Sequence, residues 1–279
     1  MNIELPQPLV RLRDDIDRAM DAGGFWAARE IVVALADGEL LSELVNERLE
    51  AVRDGNRPRL LTLNGNTVAP LNTDRYQLRL TVMNSAAAWN PVIQDAPSDT
   101  ISVIIRGRVA YSVYEQPQPE PHDVFDRSRT LRSAGTLRCG PGDSIVVRAG
   151  RDVLIADEVH GPSLVVDLKS HESRTTIWSY DRTTLEPLRF NVARRMHGRV
   201  EYAARMLGHI GNASSETALE TLLEHPAHFV RWNAVRALTR LNAERGVASL
   251  RRLLDDPHPD VRTTAERALS KLAVTAGGN

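Results

Sequence analysis

The feature that most constrains this chain is a repeat near its C-terminus. Val230-Arg231 returns as Val261-Arg262, 31 residues on, and Ala234 returns as Ala265. Arg236-Ala-Leu238 returns as Arg267-Ala-Leu269, and Leu241 as Leu272. Upstream, Leu219, Leu222 and Leu223 map onto Leu250, Leu253 and Leu254 by the same shift. A weaker copy, Ala203, Arg205, Met206 and Leu207, lies one period earlier. The apolar positions fall at helical spacing. One such unit cannot bury its apolar face alone, so the copies stack on one another.

Ahead of Leu188 the period is two. In Arg75–Met83, Tyr76, Leu78, Leu80 and Val82 share one strand face, and Gln77, Arg79, Thr81 and Met83 share the other. Ile101–Arg106 and Arg108–Tyr114 are β-rich runs separated by Gly107, which predicts a hairpin with its tight turn at that glycine. Cys139-Gly-Pro-Gly-Asp143 is a turn signal before another apolar strand. Further strands are expected at 59–63, 143–148, 153–156, 163–169 and 174–180, and Asp181–Pro187 closes the series. The prolines of Gln116–Pro121 mark an extended surface loop. Many short strands with turn punctuation predict a sandwich or barrel. Residues 8–53 read as helices, with Leu9, Leu12, Ile16 and Ala19 on one face and Gly23-Gly24 as the stop. They are expected to cover one side of the strands. The domain reading is therefore 1–57 helical cap, 58–187 strands and 188–279 helical repeats.

Composition removes several function classes. The whole-chain charge of −1 gives no general attraction to nucleic acid or to anionic membrane. The repeat region is different: residues 188–279 hold 14 Lys and Arg against 9 Asp and Glu, a net +5, which leaves −6 elsewhere. A basic face for nucleic acid is one reading of that asymmetry, and solvated arginines or an acidic protein neighbour is the other. No apolar run approaches the roughly 18–20 residues needed to cross a bilayer. Met1–Pro6 lacks the basic and apolar regions of a secretory leader. The one cysteine, Cys139, excludes an internal disulfide, suits a cytoplasmic protein and reads as a small buried hydrophobe. No phosphate-cradling glycine motif and no nucleophile-elbow serine is present. Glu158 and His160, two apart, are a weak metal pair.

Two resemblances follow from these motifs. The repeats, with His225-Pro226 and Asp256-Pro257 at their turns, resemble HEAT-like repeats over about 190–274, on a shorter period than the usual ~40. The strand region, with Arg59-Leu-Leu, Gly107, Pro141-Gly-Asp143 and Tyr180-Asp181, resembles the cupin superfamily. Within it the likeness is to the cysteine dioxygenase-like thiol dioxygenases, over roughly 9–187. The implied fold class is α+β multidomain: a cupin (jelly-roll) β-barrel with an N-terminal helical cap and an all-α repeat domain.

Members of that family hold iron with three histidines. The matching positions here fall on Ile93, Asp95 and Val153, where no imidazole stands. Ile and Val cannot ligate a metal, so no metal and no cofactor is expected in the barrel. Asp167 and Lys169 are two apart in a strand and share a face among apolar neighbours, where an inward charge costs several kcal/mol unless paired. The resemblance places polar site residues at these two positions and a carboxylate-binding arginine at Arg59. The ligand-binding candidates are Arg59, Arg79, Asp95, Asp167, Lys169 and Tyr180; a plain buried ion pair at Asp167 and Lys169 is the competing reading. The functional expectation is a metal-free cupin that takes a small anionic ligand while the repeats bind a protein partner or a second copy. The alternatives are a divergent cupin enzyme with metal-independent chemistry, for which no catalytic residue is assigned, and a nucleic-acid-associated adaptor.

Overall fold

The computed structural model describes residues 5–53, 61–64, 66–85, 90–117, 123–171, 174–193 and 195–276. Arg59, His122 and most of the proline-rich loop lie outside the described residues. By contact density the chain forms two units: residues up to 120 with 126–191, and 121–125 with 192–279.

The first unit opens with three helices, α1 (Gln7–Gly23), α2 (Arg29–Ala34) and α3 (Glu39–Arg53). Gly24 ends α1 at φ 75°, a conformation that costs an L side chain but not glycine. The strands are β1 (Leu61–Asn64), β2 (Thr67–Asn72), β3 (Tyr76–Met83), β4 (Val92–Gln94) and β5 (Thr100–Glu115). They continue as β6 (Arg132–Cys139), β7 (Ser144–Val147), β8 (Asp152–Ser170), β9 (Thr176–Asp181) and β10 (Pro187–Val192). One antiparallel sheet runs β1-β2-β3-β8-β5-β6, with β7 also on β5, and a second runs β10-β9-β4. The architecture is thus an antiparallel two-sheet body under a helical cap, followed by a helical region. Among the described residues the pairings leave both sheets open rather than closing a barrel ring.

The expected hairpin at Gly107 is replaced by one continuous 16-residue strand. Gly107 does take a positive φ, 85°, but it bends β5 instead of reversing it. The register against β8 slips between Ile104, Arg106 and Arg108, as a β-bulge does. A Cβ on Gly107 would stand 2.7 Å from the Cα of Ser163, so the neighbouring backbone occupies the space a side chain would need. β8 likewise joins two expected strands through a bend at Gly161, φ 72°. β2, β4, β6 and β10 lie outside the strands expected from the sequence. β6 is exposed at seven of eight positions, so it lacks the alternation that marks a strand in sequence.

The two faces of the large sheet differ. Tyr76, Leu78, Ile101, Val103, Val166 and Leu168 pack on Leu9, Leu12, Ile16 and Val32 of the cap, with Leu80 partly buried beside them. The cap therefore covers this face, as its amphipathic helices anticipate. On the opposite face Ile104, Val109, Cys139, Ile145 and Val165 form a second cluster that includes part of Tyr111.

The second unit holds α4 (Arg195–Ile210), α5 (Ala213–Thr221), α6 (His228–Leu241), α7 (Ala243–Arg252) and α8 (Pro259–Ala276). The repeated residues make its core: Leu219, Val230, Ala234, Leu238, Leu250, Leu253, Val261 and Ala265 are buried. Trp232 is partly buried against that core. The repeated arginine has a defined task. Arg231 Nη1 donates to the carbonyls of His225 (2.8 Å) and Pro226 (3.1 Å), and Arg262 Nη1 to those of Asp256 (2.6 Å) and Pro257 (3.1 Å). Each Val-Arg thus caps the carbonyls of the turn preceding its own helix. Arg231 also reaches Asp256 with two bonds of 2.6 and 2.7 Å, which joins consecutive repeats.

Candidate functional site

Strand register puts six polar residues in two adjacent rows on the face turned away from the cap. Arg79 in β3 faces Asp167 in β8, and Asp167 faces Ser102 in β5. One step along, Gln77 faces Lys169, and Lys169 faces Thr100. Ser102 Oγ donates to Asp167 Oδ1 at 2.6 Å. Burial holds the Asp167 carboxyl above the usual carboxylate range; the Ser102 bond and the cations Lys169 and Arg79 oppose that shift without cancelling it. Tyr111, buried nearby, is pushed up by its burial, and also by Asp167 and Cys139. The buried Nε of Arg79 has no hydrogen-bond partner among the described residues. A pocket of about 240 Å³ opens over this end of the sheet, lined by Gln77, Arg79, Ser98, Lys169 and His171 among others. Arg79, Asp167 and Lys169, chosen from sequence, are therefore one group, with Ser102 as the member the sequence reading missed. Its signal was available: Ser102 is the polar interruption between Ile101 and Val103 in a β-branched run.

Asp95 and Tyr180 belong to a different cluster. Asp95 Oδ1 accepts the Trp178 backbone N–H at 2.8 Å across the β4–β9 pair. Gln116, with its amide oriented to satisfy both ends, donates to Gly150 O at 2.8 Å and to Asp95 Oδ2 at 3.1 Å, and accepts from the Tyr180 hydroxyl. Burial, then Asp95, raises the Tyr180 phenol, against Arg129 and Gln116. The Arg129 guanidinium lies 4.6 Å from the Trp178 ring centroid. Asp95, Gln116 and Tyr180 thus satisfy one another, an arrangement that serves packing. Ile93 and Val153, at the positions matched to iron ligands, are each 1% exposed and apolar.

Other polar features stand elsewhere in this unit. Asp157 accepts from Ser112 and from Arg182. His160 and Glu158 meet at 3.3 Å, but both are largely exposed. A broader groove of about 620 Å³ is lined by Arg108, Arg138, Cys139, Asp143 and His160, where the arginines and the histidine are solvent-exposed. Cys139 is buried and free, and its burial, then Asp143, raises its thiol.

Comparison with known proteins adds to this geometry. Residues 200–270 match the family model for HEAT repeats. No curated protein matches the sequence. Among solved structures the chain is similar to hydroquinone 1,2-dioxygenase from Sphingomonas sp. TTNP3, at 9% identity and TM-score 0.29, covering 40% of this chain and 69% of that one. It is similar to a cupin superfamily protein from Desulfitobacterium hafniense DCB-2, at 16% identity and TM-score 0.26, covering 41% and 82%. It is also similar to the DMSP lyase DddQ from Ruegeria pomeroyi DSS-3, at 16% identity and TM-score 0.25, covering 38% and 43%. What the comparisons assign to this chain is the HEAT-repeat character of residues 200–270.

Proposed function

We propose that the chain is a cupin-like binding protein. Its sheet unit takes a small anionic ligand at the Arg79–Lys169 pocket without a metal, and its HEAT-like repeats dock a protein partner or a second copy. The observation that carries the reading is the strand register that sets Arg79 and Lys169 around Asp167 at the mouth of one pocket. Two cations, Arg79 and Lys169, flank the single carboxyl of Asp167, whose pKa burial raises, so an anion is favoured beside this group. Arg79 adds a buried Nε donor with no partner among the described residues. A carboxylate or phosphate in the 240 Å³ pocket supplies an acceptor for that Nε and a negative charge beside the two cations.

The test is isothermal titration with small mono- and dicarboxylates, sulfate and inorganic phosphate. The reading expects saturable 1:1 binding of at least one of these, weakened tenfold or more by Arg79→Ala and by Lys169→Ala. Absence of binding across the panel refutes it.

The raised Asp167 carboxyl favours one second reading. In it the sheet unit is an enzyme and Asp167, the strand neighbour of the pocket residue Arg79, serves as its acid. Asp167→Asn separates the two, because a binding protein keeps its affinity and the enzyme loses turnover. The nucleic-acid reading is weakened by how the repeat arginines are used. Arg231 and Arg262 cap turns, while Arg245 pairs with Glu216 and Arg252 with Glu224.

A further inference from the structure

The second unit contains a group that repeat stacking does not require. His228 opens α6 and His258 immediately precedes α8. They are not equivalent in the repeat, since a shift of 31 carries His228 to Pro259 and Ala227 to His258. Each histidine is therefore peculiar to its own copy. Nevertheless their rings stack, with centroids 3.7 Å apart and planes 16° from parallel. Asp123, from the stretch that groups with the helices, meets both: Oδ2 is 3.2 Å from His228 Nδ1 and 3.6 Å from His258 Nε2. One donor atom from each residue lies within 4.8 Å of the other two. His258 is buried, and the side chains of His228 and Asp123 are 12% and 30% exposed.

We infer that Asp123, His228 and His258 bind a divalent transition-metal ion, with zinc as the ion this donor set favours. Two imidazoles and one carboxylate are borderline nitrogen and oxygen donors, suited to Zn²⁺ and its first-row neighbours rather than to Ca²⁺ or Mg²⁺. With bonds near 2.0–2.1 Å, donors around a tetrahedral Zn²⁺ stand about 3.4 Å apart. The two carboxylate–imidazole distances fall on either side of that value.

Loading the site needs three local adjustments. Near-parallel rings do not aim both lone pairs at one point, so one imidazole turns about its Cβ–Cγ bond. His258 Nδ1 now accepts the Asp260 N–H at 3.2 Å, which leaves the proton of the neutral ring on Nε2. On binding through Nε2 that proton moves to Nδ1 and the contacts with the Asp260 N–H and the Asp123 carbonyl are released; the His228 Nδ1 proton, now donated to Asp123 Oδ2, moves likewise to Nε2. Three protein ligands leave a fourth position for water or an exchangeable ligand. The ion ties the 123–125 stretch to two successive inter-repeat turns, so it stabilises the helical unit.

The test uses the untagged full-length chain, stripped with chelator and titrated with Zn²⁺ by calorimetry. Co²⁺ provides a visible spectrum that reports coordination. The site predicts one Zn²⁺ per chain with micromolar or tighter affinity and d–d bands for Co²⁺. Asp123→Asn and His228→Gln each weaken binding at least tenfold, whereas His160→Gln does not. Circular dichroism of each stripped variant controls for folding, and Asp123→Asn changes only a partly exposed side chain. Zn²⁺ also raises the unfolding temperature of the natural chain and not that of Asp123→Asn. No saturable binding at micromolar Zn²⁺, or binding that both variants leave intact, overturns the assignment.

Discussion

Substituting alanine at Gly107 and at Gly161 tests the bent-strand architecture that positions the pocket. Both glycines sit at positive φ, 85° and 72°, so both substitutions incur the left-handed penalty of about 1–2 kcal/mol. They differ in what a new Cβ meets. At Gly161 nothing lies within 4 Å. At Gly107 the Cβ would stand 2.1 Å from Ser163 Oγ and 2.7 Å from Ser163 Cα. The hydroxyl can rotate away, but the Cα cannot, so β5 and β8 must separate. Overpacking of that kind costs about 1–3 kcal/mol more. Gly161→Ala is therefore expected to cost about 1–2 kcal/mol and Gly107→Ala about 2–5 kcal/mol. Guanidinium unfolding followed by fluorescence reads the difference, since Trp178 is fully buried in this unit. Hydrogen exchange across residues 100–115 assigns the loss to β5. Equal costs at the two sites would refute the bulge and restore an open turn at Gly107.

The remaining predictions concern charge. Arg231 and Asp256 form a buried two-bond pair, with side chains 9% and 2% exposed, so Arg231→Met strands a carboxylate and is expected to cost about 3–5 kcal/mol in chemical denaturation. A second change, Asp256→Leu, recovers much of that loss, and a single-variant cost under ~1 kcal/mol contradicts the pair's role. For Asp167 the folded-state pKa is raised, so the folded chain keeps a proton that the unfolded chain releases near pH 4. The associated stability is complete below that pH and is lost as pH rises through the raised folded value. Asp167→Asn removes this dependence, so the natural chain loses stability relative to the variant above about pH 4. Parallel denaturation curves at all pH values count against a raised Asp167. Finally, a chain with Asp123→Asn, His228→Gln and His258→Gln together is expected to purify with iron, nickel, zinc and copper all well below one per chain, by elemental analysis. A full equivalent would place a metal in the sheet unit and contradict the metal-free reading.

What the sequence disclosed follows from how local each signal is. The repeat was legible because 31-residue self-similarity survives in Val-Arg, Ala and Leu positions that all serve one core. The cap was legible because α1 carries Leu9, Leu12 and Ile16 at helical spacing. Gly107 misled because positive φ serves a turn and a bulge equally well, and only Ser163, 56 residues away, distinguishes them. Alternation alone placed Asp167 and Lys169 together, and their union with Arg79 required the β3–β8 register. Asp95 was separated from them by β4 pairing with β9, which binds its carboxylate to the Trp178 amide. The Asp123–His228–His258 group was invisible because its members lie 105 and 135 residues apart.

The most direct test of the anionic pocket is the Nε–Hε resonance of Arg79, observed by nitrogen–proton NMR as a small carboxylate or phosphate is added. The account predicts a saturable shift at Arg79, consistent with a new charge-assisted hydrogen bond, while the exposed Arg108 signal stays in place. An unmoved Arg79 resonance at saturating anion, or equal shifts at both arginines, would contradict it.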